Sequence, residues 1–206
     1  MAYGNIYYSE IYNNYQYSTN GNYAGGGMVN GNAYFSFFHD NRTEVSFYRE
    51  CLNTNAYSCL FLGPCQFSNA YSSTIISDTR FCMYHGGGAG RIFRNNICVF
   101  TGTNGRPMEA ISDSRKNYEY CLVYPYQSNV LDNPGMLNGV DPMLDENYKP
   151  IKDSPVIGAA NPEYIMTEWD LARRRWNKDN PSIGCYEYKL NNFNLPNSLY
   201  PMTKTC

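Results

Sequence analysis

The sequence predicts an all-β protein, a single-stranded right-handed parallel β-helix (solenoid) with an irregular C-terminal cap. Three observations favour this class: a composition rich in strand and turn residues, a five-residue pattern that recurs along the chain, and a C-terminal third where that pattern stops. The expected boundaries are β-helix coils over residues 1–128, a cap region over 129–190 and a tail over 191–206.

Tyrosine and asparagine dominate the 206 residues, with 21 Tyr, 26 Asn and 17 Gly. Tyr favours strands, whereas Asn and Gly favour turns. Long runs of Ala, Glu, Lys and Leu, which are typical of helical proteins, do not occur in the sequence. We therefore expect short strands separated by many turns.

Charge and hydropathy narrow the expected partners. The formal net charge is -2 and 17% of the residues are charged, with no basic stripe, so we expect no nucleic-acid partner. No apolar run approaches the roughly 18–20 residues that span a bilayer, so we expect no membrane span. The N-terminus shows no signal peptide. We expect an extracellular or cell-surface protein whose leader lies on a longer chain, or alternatively a virion component.

A pattern of Cys, aliphatic, aromatic, any residue and Gly occurs at 59–63, and related segments begin at Cys82, Cys98 and Cys121. Ser36 precedes Cys59 by 23 residues, and the later steps are 23, 16 and 23 residues. A period of about 20–25 residues with Gly and Asn between strand-like segments is typical of solenoids. Because helical and leucine-rich repeats do not fit this pattern, a parallel β-helix remains.

The same pattern predicts which side chains stack. Alternation along a strand points the Cys and the aromatic residue of each segment to one side, which we expect to be the interior. The prediction is thus a structural ladder of stacked Cys beside a ladder of large side chains. The predicted ladder residues are Cys59, Cys82, Cys98 and Cys121, with Phe61, Tyr84 and Phe100 beside them.

The eight cysteines suggest packing more strongly than chemistry. None belongs to a C-x-x-C pair and the chain has two His, so we expect no metal site of the zinc-finger type. Disulfides remain open if the protein is exported. Buried Cys also serves as a small apolar residue, which is the interpretation we favour. We expect no cofactor.

Four short motifs follow one another in the C-terminal third: Asp-Pro at 141–142, Ser-Pro-Val-Ile-Gly at 154–158, Asp-Leu-Ala at 170–172 and Ile-Gly-Cys-Tyr-Glu-Tyr at 183–188. In this order they resemble the C-terminal part of pectate-lyase-like right-handed β-helix surface proteins of the choice-of-anchor Q type. The resemblance covers roughly residues 135–188. It implies that these motifs form the cap of the β-helix, with the following residues at its centre: Ser154, Pro155, Asp170, Arg175, Gly184, Tyr186 and Glu187.

The chain departs from the family pattern at three places. The Gly expected after Asp-Leu-Ala is missing, so three arginines follow directly. Cys185 takes the place of Ala, and Gly158 that of Asp. Segments in the coil region, such as Gly-Gly-Gly-Met at 25–28, also resemble repeats of polymorphic outer-membrane adhesins.

Catalytic residues are not evident in the coil region. β-Helix hydrolases need a pair of carboxylates, and lyases need a basic residue with acids that often hold Ca²⁺. Acidic residues do not recur at one phase of the predicted coils, so the catalytic residues are unknown and Ca²⁺ is expected only if the protein is an enzyme. Tyr34 and Tyr57 share one phase, and exposed aromatic rows can bind sugar rings, so these two residues are the predicted ligand-binding pair.

Three functions therefore stay open. The first is a non-catalytic surface or adhesin-type module that binds a polysaccharide, a cell-surface glycan or another surface partner. The second is a polysaccharide lyase or hydrolase, and the third is a phage tail fibre or spike, for which a trimer is expected. An acid–base cluster on one flank favours the enzyme, whereas an aromatic row without acids favours the binding module.

Overall fold

The computed structural model describes residues 2–16, 26–43, 50–78, 81–85, 90–103, 106–110, 117–128, 130, 132–189 and 203–204. In this part of the chain, short strands follow one another and the one helix is a 3-10 turn at Pro162–Tyr164. The strands are β1 (Ala2–Tyr7), β2 (Ser9–Tyr12), β3 (Tyr15–Gln16), β4 (Met28–Tyr34), β5 (Phe37–His39), β6 (Arg42–Thr43), β7 (Cys51–Tyr57), β8 (Leu60–Leu62), β9 (Cys65–Tyr71), β10 (Thr74–Ser77), β11 (Phe81–His85), β12 (Phe93–Arg94), β13 (Ile97–Phe100), β14 (Arg106–Ala110), β15 (Tyr118–Glu119), β16 (Leu122–Tyr124), β17 (Leu137–Asn138) and β18 (Thr203–Lys204).

These strands stack into two long parallel sheets. Sheet A has the order β1-β4-β7-β9-β11-β14, with β12 and β15 joined to it, and sheet B has the order β17-β16-β13-β10-β8-β5-β2-β18. Strands β3 and β6 form a small third sheet. Because the chain alternates between the sheets as it advances, each circuit adds one strand to both. The predicted fold class is confirmed: the chain is an all-β, right-handed parallel β-solenoid.

Sharp corners join sheet A to sheet B. One residue at each corner has a left-handed backbone with φ between +46° and +57°, a conformation that non-glycine residues rarely adopt. The corner amides bond the next coil, as where Tyr8 N donates to Tyr34 O at 3.1 Å. The corner is thus the same in successive coils, at Tyr8, Phe35, Ser58, Ser72, Asn95 and Tyr120.

The interior is filled by rows of side chains that lie one above another. The central row of sheet B consists of Ile11, Phe38, Phe61, Ile75, Cys98 and Val123. All six are buried, and the Phe38 and Phe61 rings stack at 4.7 Å. A row of sheet A faces it with Met28, Cys51, Cys65 and Met83. Stacked apolar rows of this kind make one continuous core.

The predicted ladder has the wrong register. Leu60 pairs with Thr74, so the coil that starts at Cys59 is only 14 residues long and Ser73 lies next to Cys59. The expected step of 23 residues therefore overshoots by part of a coil. The true row through Cys59 is small and partly polar: Ser9, Ser36, Cys59, Ser73, Asn96 and Cys121.

The remaining ladder residues occupy other positions. Cys82 lies on β11 of sheet A, where its thiol donates to Val99 O, and Cys98 belongs to the row of Phe61. Phe100 pairs with Ser77, outside that row. The backbone of Tyr84 is part of β11, and its side chain lies outside the described residues. Burial of the cysteines was predicted correctly, because the seven described ones are all buried free thiols.

Residues 139–189 have little regular structure, as predicted for the cap, but they lie elsewhere. We call this segment the C-terminal arm. It packs on the outer face of sheet B, where Val156 and Ile183 contact Ile97 and Leu122. Further along the sheet Leu171 packs with Leu60. The arm thus covers a flank of the solenoid rather than only its last coil, because the outward side chains of sheet B are apolar and need cover.

At the N-terminal end of sheet B the edge strand is paired. The backbone of Thr203 pairs with Ser9, and that of Lys204 with Glu10, both in parallel. Pairing removes one open strand edge, the part of a sheet most prone to aggregation. In the described part of the chain, no helix is long and apolar enough to cross a membrane.

The buried thiols should be unreactive in the folded protein. Burial raises the pKa of Cys59 to about 12 and that of Cys121 to about 11, so few thiolates form at neutral pH. We expect iodoacetamide at about pH 8 to leave all seven described cysteines unmodified in the native protein and to alkylate them in denaturant. Peptide mass spectrometry measures this, and native alkylation of Cys59 at the rate of a free thiol would contradict the structure.

Candidate functional site

A polar cleft lies where strands β5, β8 and β10 of sheet B end. It has a volume of about 300 Å³, and Tyr148 of the C-terminal arm forms one side of it. Parallel strands bring residues that follow different strands to one edge, so side chains from several coils meet here. We call this site the acidic cleft; it is lined by Asp40, Asn41, Arg42, Glu50, Leu62, Gly63, Ile76, Ser77, Asp78, Thr101 and Tyr148.

Glu50 forms the buried wall of the acidic cleft, with 1% of its surface exposed. Its Oε2 accepts a hydrogen bond of 2.5 Å from Asn41 Nδ2. The same Nδ2 donates to Ile11 O at 2.9 Å, so Asn41 ties the carboxylate to the solenoid backbone. A Cβ at Gly63 would lie 2.8 Å from Glu50 Oε1, so only glycine leaves room for Glu50 here. The buried carboxylate is therefore held rigidly by its neighbours.

Two further carboxylates stand at the open side. Asp78 is exposed directly after β10, and the Asp40 side chain is 67% exposed after β5. Asp40 Oδ2 lies 2.8 Å from His39 Nδ1. Arg42 is the cation of the lining, and Ser77, Thr101 and Tyr148 contribute hydroxyl groups. The cleft thus presents mixed acceptors and donors, which suits a ligand rich in hydroxyl groups.

Sequence reasoning missed the acidic cleft. The acids were compared at equal offsets from the Cys positions, and the 14-residue coil makes those offsets incorrect. Glu50 also precedes β7 of sheet A, whereas Asp40 and Asp78 follow strands of sheet B. The available signal was that three acids lie within a few residues of strand ends.

The predicted ligand-binding pair is brought together, but in an arrangement unsuited to sugar stacking. Tyr34 and Tyr57 stack face to face at 4.6 Å, and Tyr7 and Tyr71 continue the row at 4.7 and 5.6 Å. Both faces of the two inner rings are therefore covered by neighbouring rings. Burial raises the pKa of Tyr34 and of Tyr57 above the ordinary value. Of the predicted pair only the ring edges are accessible, while Tyr7 is 51% exposed.

A ladder of asparagines runs beside the tyrosines. Asn32 Nδ2 donates to Asn5 Oδ1 at 2.7 Å, Asn55 to Asn32 at 2.8 Å, and Asn69 to Asn55 at 2.9 Å. The sequence signal was the Asn-Ala-Tyr triplet at 32–34, 55–57 and 69–71, which also shows the 14-residue coil. Because the amides and rings bond mainly to each other, this face stabilises the stack.

A buried carboxylate network holds the C-terminal arm together. Asp170 is fully buried, and its Oδ2 accepts from Arg174 Nε at 2.7 Å and from Glu187 N at 2.9 Å. Glu187 accepts in turn from Ser182 Oγ at 2.6 Å. Burial raises the pKa of Asp170, and the Arg174 guanidinium only partly offsets this effect. Both acids serve the fold of the arm.

The other predicted cap residues also have structural contacts. Ser154 Oγ donates to Pro142 O at 2.5 Å, and Pro155 follows it in a turn. Gly184 has φ +97°, and a Cβ there would lie 2.5 Å from Ile97 Cδ1. Tyr186 is largely buried, which raises its pKa. Arg175 pairs with Glu168 at 3.1 Å on the surface, so the arginine that bonds Asp170 is Arg174 and not Arg175.

A second hollow of about 310 Å³ lies within the arm, between Pro162 and Lys178. Its Trp176 is buried, and the indole N–H donates to Trp169 O at 2.9 Å. This ring is committed to the arm's own packing. Across the described ranges, no group of three or more His, Cys, Asp or Glu side chains is placed to hold a metal ion.

Comparison with known proteins gives no relative. The sequence matches no protein-family model, no curated protein and no solved structure. The assignment to the parallel β-solenoids therefore rests on the strand pairing itself.

The Asp170 network yields a stability prediction. Asp170→Ala should lower the free energy of unfolding by about 3–5 kcal/mol, because Arg174 and the Glu187 amide lose a buried partner. Arg175→Ala, the matched control on an exposed pair, should cost about 0–1 kcal/mol. Urea unfolding followed by circular dichroism measures both, and equal losses would refute the role given to Asp170.

Proposed function

We propose that the chain is a surface β-solenoid module that binds a glycan in the acidic cleft. The observation that carries this proposal is the convergence of carboxylates, an amide and hydroxyl groups in one open depression of about 300 Å³. Sugar hydroxyls donate to carboxylates and accept from amides and guanidinium groups. Tyr148 adds an aromatic side wall of the kind that packs against sugar rings.

The rigidity of the site supports the same proposal. Asp40, Leu62 and Asp78 follow strands that are paired in register, so their backbones are fixed by the stack. Asn41 additionally ties Glu50 to Ile11 O. A preorganised site loses little conformational entropy when a ligand binds.

The cellular location follows from the C-terminal motifs. Their order resembles that of pectate-lyase-like surface proteins of the choice-of-anchor Q type, and on this ground we place the module outside the cell or at its surface. The structure adds a physical reason for the resemblance, since Ser154, Gly184 and Glu187 all hold the arm on sheet B or within itself. A glycan is a partner compatible with that location.

Glycoside hydrolysis is the second candidate, and the position of Glu50 favours it. A buried carboxylate beside exposed carboxylates in one cleft is how paired acids acquire different protonation states. In that case water adds across the glycosidic bond, and each cleavage creates one new reducing end. The predicted discriminator is a reducing-end assay, in which activity that is lost in Glu50→Gln would identify an enzyme.

Binding can be tested by titration calorimetry with cellohexaose, hexa-N-acetylglucosamine and hexagalacturonate. We expect saturable binding of at least one neutral hexasaccharide, and weaker binding of the galacturonate because its carboxylates meet those of the cleft. Asp78→Asn should raise the Kd by about tenfold, because a charge-assisted hydrogen bond becomes a neutral one.

Asp132→Asn is the matched control, since Asp132 is exposed and does not line the cleft. It should leave the Kd unchanged. Tyr57→Phe should also have no effect, because the inner rings of the tyrosine row are covered. No saturable binding of any of the three sugars up to about 1 mM would overturn the proposal.

A further inference from the structure

His39 lies between two carboxylates beside the acidic cleft. Its Nδ1 is 2.8 Å from Asp40 Oδ2, and its Nε2 is 3.0 Å from Glu10 Oε1. Both distances are those of hydrogen bonds. Asp40 lines the cleft and Glu10 does not, so His39 connects the ligand site to a residue outside it.

The number of protons on His39 decides how many of these bonds exist. An ionised carboxylate only accepts, and a neutral imidazole has one N–H, so a neutral ring can satisfy one of the two acids. The other ring nitrogen then presents a lone pair to carboxylate lone pairs. Both contacts are favourable at once only when both ring nitrogens carry protons.

The ring cannot easily turn away from this conflict. It stacks on Tyr12 at 5.2 Å with 2° between the planes, and on Phe37 at 4.4 Å. Its side chain is 18% exposed, and Leu62 follows it in the row on β8. The titratable groups that face His39 from the described neighbours are Glu10 and Tyr12 on β2 and Asp40 after β5; on β18, Lys204 pairs with Glu10 through the backbone.

Asp40 is the partner that can move. Its side chain is 67% exposed, against 24% for Glu10, so Asp40 can exchange the lost hydrogen bond for water. While His39 holds Oδ2, Asp40 Oδ1 has no hydrogen bond to any described residue and is available to a ligand. Loss of the His39 proton therefore releases the carboxylate that the ligand needs in place.

We propose that His39 is a positioning residue that couples ligand binding in the acidic cleft to pH. This inference rests on the proposed function and adds a regulation to the same site. Binding is strongest when the imidazolium bridges Glu10 and Asp40, and it weakens as the pH rises. Imidazole groups ordinarily change charge between about pH 5 and 8, so the transition falls in the physiological range.

The test is the Kd for cellohexaose, or for hexa-N-acetylglucosamine if that sugar binds more tightly, from about pH 5.5 to about pH 8. In the wild-type protein we expect the Kd to rise by about tenfold over this range. His39→Gln should give a flat profile, because Gln bonds its neighbours without titrating.

Glu10→Gln separates this mechanism from a merely structural role of His39. The amide introduced by this substitution can donate to Nε2, so a neutral His39 keeps both bonds and the profile should again be flat. His85→Gln is the matched control and should retain the wild-type profile. Because the chain has two His, nitrogen NMR of the rings also reads His39 directly, and both of its nitrogens should be protonated near the lower pH.

The outcomes are distinguishable. Failure of both sugars to bind at every pH contradicts the proposed function. Binding with the same pH profile in the wild-type protein, His39→Gln and Glu10→Gln contradicts the positioning role alone. A singly protonated His39 ring at the pH of tightest binding would also overturn it.

Discussion

Parallel hydrogen bonding between successive coils is the constraint on which the rest of this structure depends. Once Phe38, Phe61 and Ile75 are paired in register, each side chain must fit directly above that of the previous coil. Rows of like residues satisfy this condition, which is why aromatic rings stack on rings and amides bond amides. The corners, the core and the asparagine ladder are consequences of the same register.

The fold could be predicted from composition and from the recurrence of strand-like segments, because register imposes a period on the sequence. The exact register could not, because the period varies. Nothing in the five-residue pattern shows that the coil from Cys59 to Ser73 has 14 residues, whereas the Asn-Ala-Tyr triplets at 55 and 69 do show it. A repeat on the outer face was therefore more informative than the repeat in the core.

The candidate site was harder to predict than the fold. Glu50, Asp40 and Asp78 meet because three strand ends lie at one edge, a relation that depends on coil length as well as on residue type. The arm presents the same difficulty. Its motifs indicated a cap, but its position on the flank follows from the apolar outer face of sheet B, where Leu60, Ile97 and Leu122 need cover. Single-sequence patterns report local structure and not which long-range surface a segment will bury.

The short coil has a further consequence for how the cleft arises. Only Gly63 and Pro64 separate β8 from β9, whereas eleven residues separate β5 from β7 in the coil before. A solenoid wall dips wherever one circuit lacks the loop that its neighbours carry. The cleft is in this sense made by omission, so that a change in the length of one connection, with every strand left intact, is enough to create or erase a binding site on such a scaffold.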